Sequence, residues 1–165
     1  EIYCGSGFVK KWNGSSWIDI TGVTAPSANG IYVKNLIVYN NKLIASGNIG
    51  SIGGLTTKNL VQYDGAQWSN FAFSIGTQIN PGYVVSTYLN GTDLYIIGAY
   101  FDGSSYKEVL KFNGSQWSTV GTNMITGSVS NGVAELIEYN GFLFAGGNFI
   151  FDNAGTYSKL CKIQL

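Results

Sequence analysis

Trp12-Asn-Gly-Ser-Ser-Trp17, Tyr63-Asp-Gly-Ala-Gln-Trp68 and Phe112-Asn-Gly-Ser-Gln-Trp117 are one motif written three times. Each opens on an aromatic residue, passes through an Asn-Gly or Asp-Gly pair and closes on Trp. The closing residues Trp17, Trp68 and Trp117 recur with a period of about fifty residues, the signature of a repeated supersecondary unit. Two other markers keep the same period. One is Tyr39-Asn-Asn-Lys-Leu43, Tyr88-Leu-Asn-Gly-Thr-Asp-Leu94 and Tyr139-Asn-Gly-Phe-Leu143; the other is the glycine that ends a hydrophobic run, at Gly47, Gly98 and Gly147.

Working outward from the motif, each unit reads as four strands. Leu36-Ile-Val-Tyr39 and Leu136-Ile-Glu-Tyr139 mark the first strand. A short Asn-rich turn leads to the second, at Leu43-Ile-Ala-Ser46, Leu94-Tyr-Ile-Ile97 and Leu143-Phe-Ala-Gly146. A Gly/Ser/Asp loop precedes the third, Leu60-Val-Gln-Tyr63, and the motif turns that strand into the fourth. Asn-Gly and Asp-Gly supply the positive φ angles of a type I′ hairpin, so Gly14, Gly65 and Gly114 are expected at two-residue tips. With Asp64-Gly65 as the tip, Val61 would oppose Trp68 and Tyr63 would oppose Ala66. Alternation then sets Val61, Tyr63, Ala66 and Trp68 on one face and Leu60, Gln62, Gln67 and Ser69 on the other. The second strands are apolar on both faces, as interior strands are.

A sheet that cannot cover its own apolar faces must stack on a similar neighbour, and radial stacking gives a propeller. The expected fold is all-β, a propeller-like array of four-stranded antiparallel blades over residues 1–165. The repeats run 1–20 (partial), 21–71, 72–120 and 121–165 (partial). Tyr139-Asn-Gly-Phe-Leu-Phe-Ala-Gly-Gly-Asn-Phe149 and the three Asn/Asp-Gly-x-x-Trp turns resemble kelch-like propeller repeats, akin to the central domain of galactose oxidase. They are most similar to secreted bacterial repeats of this kind. The resemblance implies the fold. It implies little about function, because the matching residues are packing and turn residues, and it carries over no copper site. A compact four-bladed ring, a segment of a longer propeller and two chains completing one ring all fit the repeat count.

Composition removes several function classes. Lys and Arg together number nine, Asp and Glu nine, and the net charge is zero; every basic residue is Lys. No excess of positive charge is present to neutralise phosphates, so nucleic acid is not an expected partner. No apolar run approaches the roughly 20 residues that span a bilayer as a helix, so membrane insertion is not expected. With no histidine, a Ser-His-Asp triad, a Cys-His pair and an imidazole metal site are all impossible. Cys4 and Cys161 lie near opposite ends. Joined as a disulfide they would close a loop of nearly the whole chain; as buried thiols they would be packing residues.

Candidate chemistry is sparse. Asp102 and Asp152 occupy equivalent loops after the second strand, where carboxylates could serve as a glycosidase pair or hold calcium, but Asp is also a common turn residue. Asp19, Asp64 and Asp93 lie near turns. Trp17, Trp68 and Trp117 could stack sugars, although their regular spacing suits packing between units. The aromatic residues outside the repeat consensus are the stronger ligand-binding candidates: Tyr100, Phe101 and Tyr106 around Asp102, and Phe149, Phe151 and Tyr157 around Asp152. They fall in the loops where such scaffolds commonly place function. Asn13, Asn90 and Asn113 each head an Asn-x-Ser/Thr sequence, read here as turn chemistry. The expectation is a non-enzymatic, extracellular or cell-surface module for recognition, adhesion or assembly, without cofactor or metal. Its partners would be a protein or a glycan, with a homo-oligomer completing the propeller as a further arrangement. The alternatives are a structural subunit of a surface filament or viral fibre, and a carbohydrate-active enzyme domain.

Overall fold

A computed structural model describes residues 3–5, 9–21, 32–57, 59–71, 80–101, 106–120, 133–150 and 157–163. The chain divides into two compact units, Glu1–Ala72 and Phe73–Leu165. Among the described residues the regular structure is entirely β.

Among the described residues the first unit holds two larger sheets and a two-stranded one. The first sheet is a meander of β1 (Tyr3–Gly5), β2 (Val9–Trp12) and β3 (Trp17–Asp19). The second has four strands in chain order, β4 (Tyr32–Tyr39), β5 (Lys42–Asn48), β8 (Leu60–Tyr63) and β9 (Trp68–Asn70). A two-stranded ribbon, β6 (Ser51–Ile52) and β7 (Leu55–Thr56), is inserted between β5 and β8. The second unit repeats the plan. Its third sheet runs β10 (Asn80–Asn90), β11 (Asp93–Phe101), β12 (Tyr106–Phe112) and β13 (Trp117–Thr119), and the fourth runs β14 (Val133–Tyr139), β15 (Phe142–Ile150) and β16 (Tyr157–Ile163). All pairings are antiparallel between neighbours. The expected four-stranded unit is therefore present twice, with a three-stranded sheet near each end of the chain.

The motif turn differs from the expected type I′ hairpin. Tyr63 pairs directly with Trp68, Trp12 with Trp17 and Phe112 with Trp117, so four residues form each tip rather than two. Only the glycine has positive φ: Gly14 at 106°, Gly65 at 102° and Gly114 at 96°. The preceding Asn or Asp instead closes the turn with its side chain. Asp64 Oδ1 accepts the backbone N–H groups of Ala66 and Gln67, both at 2.9 Å. Asn13 Oδ1 does the same for Ser15 and Ser16 at 2.9 and 2.8 Å, and Asn113 Oδ1 for Ser115 and Gln116 at 3.0 and 2.8 Å. A carboxylate or amide oxygen that mimics a backbone acceptor makes a two-residue I′ geometry unnecessary. The paired positive φ angles that a type I′ turn requires occur instead in the first hairpin of the sheet, at Asn40-Asn41 (φ 48° and 59°) and Asn140-Gly141 (φ 51° and 75°), each linking first and second strands.

The corrected register moves Trp68 by two positions, from Val61 to Tyr63, and a two-residue shift leaves every side chain on its original face. Val61, Tyr63 and Trp68 accordingly share one face, with rings of Tyr63 and Trp68 5.1 Å apart. Gln62 and Ser69 share the other and hydrogen-bond at 3.1 Å. Ala66 belongs to the exposed tip rather than to either face. The Tyr88 marker also shifts by two. Asn90, not Tyr88, takes the place of Tyr39 and Tyr139, because Asn90 pairs with Asp93 across the two-residue turn as Tyr39 pairs with Lys42 and Tyr139 with Phe142.

Packing within each unit follows a single rule. The face bearing Val61, Tyr63 and Trp68, here called the Trp face, is covered by the opposite face of the preceding sheet. In the first unit Val9, Tyr3 and Ile20 of the first sheet pack on Val33, Leu43, Ala45, Val61 and Trp68 of the second. In the second unit Tyr95, Ile97, Val109, Tyr88 and Val120 pack on the equivalents in the fourth sheet: Val133, Leu143, Ala145, Cys161 and Ile163. Hydrogen bonds pin both contacts. Trp68 Nε1 donates to the Ile20 carbonyl at 2.6 Å, Gly53 N to the Thr21 carbonyl at 2.6 Å, and Glu138 N to the Tyr88 hydroxyl oxygen at 3.2 Å.

The turn chemistry carries a pH signature. Backbone donors from Gln67 and Ala66 hold the Asp64 carboxyl below its ordinary value of 3.8. A depressed carboxylate contributes stability that is fully present above the unfolded value and is lost as pH falls through the lower folded value. Asp64→Asn, the residue type that Asn13 and Asn113 already place in this turn, is expected to keep the fold and remove that acid-side loss. Urea midpoints measured from neutral pH down to pH 2 for both proteins check this; parallel curves would show that Asp64 does not contribute.

Candidate functional site

The three motif tryptophans sit in one structural role. Each opposes the aromatic residue that opens its motif, with ring centroids 5.5 Å apart for Trp12–Trp17 and 4.9 Å for Phe112–Trp117. Trp68 lies between the Ile20 carbonyl and the turn of the β6–β7 ribbon. Gly53 has φ +57°, and a Cβ there would approach Trp68 Cδ1 to 3.1 Å. Trp117 is buried at 7% exposure, whereas Trp17 is 44% exposed. Trp68 and Trp117 are thus packing residues. Trp17 has the same position without the same cover.

The aromatic candidates that interrupt the repeat belong to the second unit. Tyr100 and Phe101 end β11 and Tyr106 begins β12, so they lie on paired strands rather than in a loop: Phe101 opposes Tyr106 and Tyr100 opposes Lys107. Phe149 lies in β15 opposite Ser158, and Tyr157 opens β16 opposite Ile150. Both hairpins continue past a register shift beside the marker glycines, between Ile97 and Tyr100 and between Gly146 and Phe149. In the first unit the corresponding extension is the short β6–β7 ribbon. The register brings together Tyr100, Phe101 and Tyr106 at the end of one hairpin, and Phe149 and Tyr157 at the end of the next. Asp102, Phe151 and Asp152 lie outside the described residues.

The two cysteines differ in what is described. Cys161 is a free thiol, buried in β16 opposite Ala145 as Val61 is opposite Ala45. Burial pushes its pKa up, away from the thiolate. Cys4 lies in β1 opposite Lys10, the place equivalent to Ala45, and its side chain is outside the described ones. Among the described residues no three His, Cys, Asp or Glu side chains are grouped to hold a metal ion. No helix among them is long and apolar enough to cross a membrane. Among the described residues Lys111 Nζ lies 3.2 Å from Asp93 Oδ2, a partly exposed ion pair of the class worth about 1 kcal/mol or less.

Sequence reasoning missed one surface. On the fourth sheet, Ile137, Tyr139, Phe142 and Leu160 are exposed on the face that points away from the third, together with Lys162. Lys162 Nζ lies 3.2 Å from the centre of the Phe142 ring. These residues match the repeat consensus, so their composition carries no sign that they are uncovered. No protein-family model matches the sequence, and no curated protein matches it.

Two outcomes follow. Trp68→Phe removes the donor to the Ile20 carbonyl and should lower unfolding free energy by about 1–3 kcal/mol, read from urea denaturation. Cys161 should resist a thiol reagent in the native protein and react promptly once unfolded, with Cys161→Val close to neutral in stability; fast native labelling of Cys161, mapped by peptide mass, would contradict its burial.

Proposed function

We propose that this chain is a non-enzymatic propeller-type module that acts outside the cell or on its surface, in recognition or adhesion, with a glycan or a protein as ligand. The observation that carries this reading is a division of labour among the aromatic residues. The repeated ones, Trp68 and Trp117, are consumed in packing. Those of the second unit's hairpin ends, Tyr100, Phe101, Tyr106, Phe149 and Tyr157, stand past the register shift, with Tyr100 matching Phe149 and Tyr106 matching Tyr157 in position. A constant scaffold with variable, aromatic-bearing extensions is the usual plan of a recognition surface. Tyrosine rings supply a large contact area with a hydroxyl at its edge, which suits both sugar faces and protein surfaces. The antiparallel meanders and their face-to-face stacking support the propeller reading, in which each sheet is a blade.

The test is binding to a panel of surface glycans and to cell-surface extracts, followed by alanine substitution. Tyr100→Ala, Phe101→Ala or Tyr106→Ala should weaken binding by tenfold or more, about 1.4 kcal/mol, while the melting temperature stays within the range of surface substitutions. Equal binding by all three variants would remove the site. Turnover of a bound glycan would remove the non-enzymatic reading.

A further inference from the structure

Two of the motif turns hold a chemical group that turn formation does not use. In the first, Asn13 Oδ1 accepts the backbone N–H groups of Ser15 and Ser16 and also the Ser15 hydroxyl, at 3.1 Å. In the third sheet Asn113 Oδ1 accepts the N–H groups of Ser115 and Gln116 and the Ser115 hydroxyl, again at 3.1 Å. Every demand of the turn falls on the amide oxygen. Nδ2, on the other branch of the same planar carboxamide, is directed away from those donors. Asn13, Ser15, Asn113 and Ser115 are all exposed, and a Cβ on Gly14 would meet nothing within 4 Å. Asn-x-Ser/Thr is the acceptor sequence for an N-linked glycan, and both tips present it with the amide nitrogen outward.

The turn alone does not account for this pair of residues. Asp64-Gly65-Ala66 makes the same two backbone bonds with no amide and no hydroxyl. Asn and Ser are thus present together in two motif turns and absent together from the third. The serine hydroxyl is a third donor on Oδ1. It draws electron density from the carboxamide and makes an Nδ2 proton easier to remove, which an amide nitrogen needs before it can act as a nucleophile. Asn90-Gly91-Thr92 has the same sequence form in a different setting. Asn90 ends β10, pairs with Asp93 in the ladder and is half-buried, so its side chain belongs to a strand rather than to a tip.

We infer that Asn13 and Asn113 accept N-linked glycans on their folded hairpin tips and that Asn90 does not. The donor class is an oligosaccharide joined through its C1 to a polyprenyl diphosphate and brought by a transferase. Nδ2 forms a bond to C1 and the C1–O bond breaks. The diphosphate leaves with the electron pair, and the Nδ2 proton passes to a base of the transferase. This rests on the extracellular part of the function proposed above and not on its ligand. On the third sheet the two sites are also apart: β12 runs from Tyr106 at the hairpin end to Phe112 at the motif tip, about 20 Å of strand.

The purified, folded chain is incubated with an oligosaccharyltransferase and its lipid-linked oligosaccharide. Enzymatic deglycosylation in heavy-oxygen water then marks each modified Asn as a labelled Asp, read by peptide mass. Asn13 and Asn113 should be marked and Asn90 unmarked. Ser15→Ala and Ser115→Ala should each abolish the mark in their own turn and leave the other, with the circular dichroism spectrum unchanged because Ala66 already fills that place. Ser15→Thr and Ser115→Thr should keep both marks. Asp64→Asn combined with Ala66→Ser should gain a third. An unmarked Asn13 and Asn113 would overturn the inference, and so would a mark on Asn90 equal to theirs. Marks on a synthetic peptide spanning residues 108–120 but not on the folded chain would overturn it too, by showing that the tip hides the acceptor. Ligand binding through Tyr100, Phe101 and Tyr106 is measured on the modified and unmodified chains and should not differ. A missing ligand therefore counts against that site alone, and a missing mark against this one.

Discussion

The indole N–H of Trp68 donates to the carbonyl of Ile20, across the gap between two sheets that are adjacent in the chain. That bond marks the constraint on which the rest of the first unit depends. A four-stranded sheet with Leu43, Ala45 and Val61 on one side and Ile44 and Leu60 on the other has no solvent face of its own. It must be covered on both. A sheet of this kind needs a neighbour, and the side chains that cover the second sheet, Val9 and Ile20, come from the sheet before it. The second unit meets the same demand with Val109 and Val120 over Cys161 and Ile163, and with the Tyr88 hydroxyl in the role of the indole. The burial is apolar and cumulative, and the few polar bonds fix where one sheet sits on the next.

The turns allow this stacking to repeat despite variation in sequence. Asp64 and its counterparts Asn13 and Asn113 each satisfy two backbone N–H groups from within the loop, so the tip needs nothing from the neighbouring sheet. Self-sufficient tips leave the two faces free to be chosen by packing alone. The same logic explains the elaborated ends of the second-to-third strand hairpins. Beyond the register shift near Gly98 and Gly147 the strands no longer keep the register of the rest of the sheet.

Much of the candidate site was legible because it departs from the repeat. Tyr100, Phe101 and Tyr106 stand out against the Asn-Ile-Gly that follows Gly47. Their placement on paired strands was not legible. A continuing hairpin and a loop of similar composition look alike when the strand is only two residues long past a bulge. The open face of the fourth sheet was invisible for the opposite reason: Leu160 and Tyr139 obey the consensus, and a residue that obeys it carries no mark of whether a neighbour arrives.

The amino-acid sequence by itself determined the period, the four-strand unit, the meander order and the sharing of one face by Val61, Tyr63 and Trp68. These are local properties, set by alternation along a strand and by which residues tolerate a turn. It did not determine the tip length, because Asp64 can enter a type I′ turn through its backbone or close a four-residue turn through its carboxylate, and both preserve the face. Tertiary structure decided that, and it decided exposure. Leu60 and Leu160 have the same identity, the same strand position and the same face, yet one is fully buried and the other 65% exposed, since burial depends on the surroundings and not on the residue.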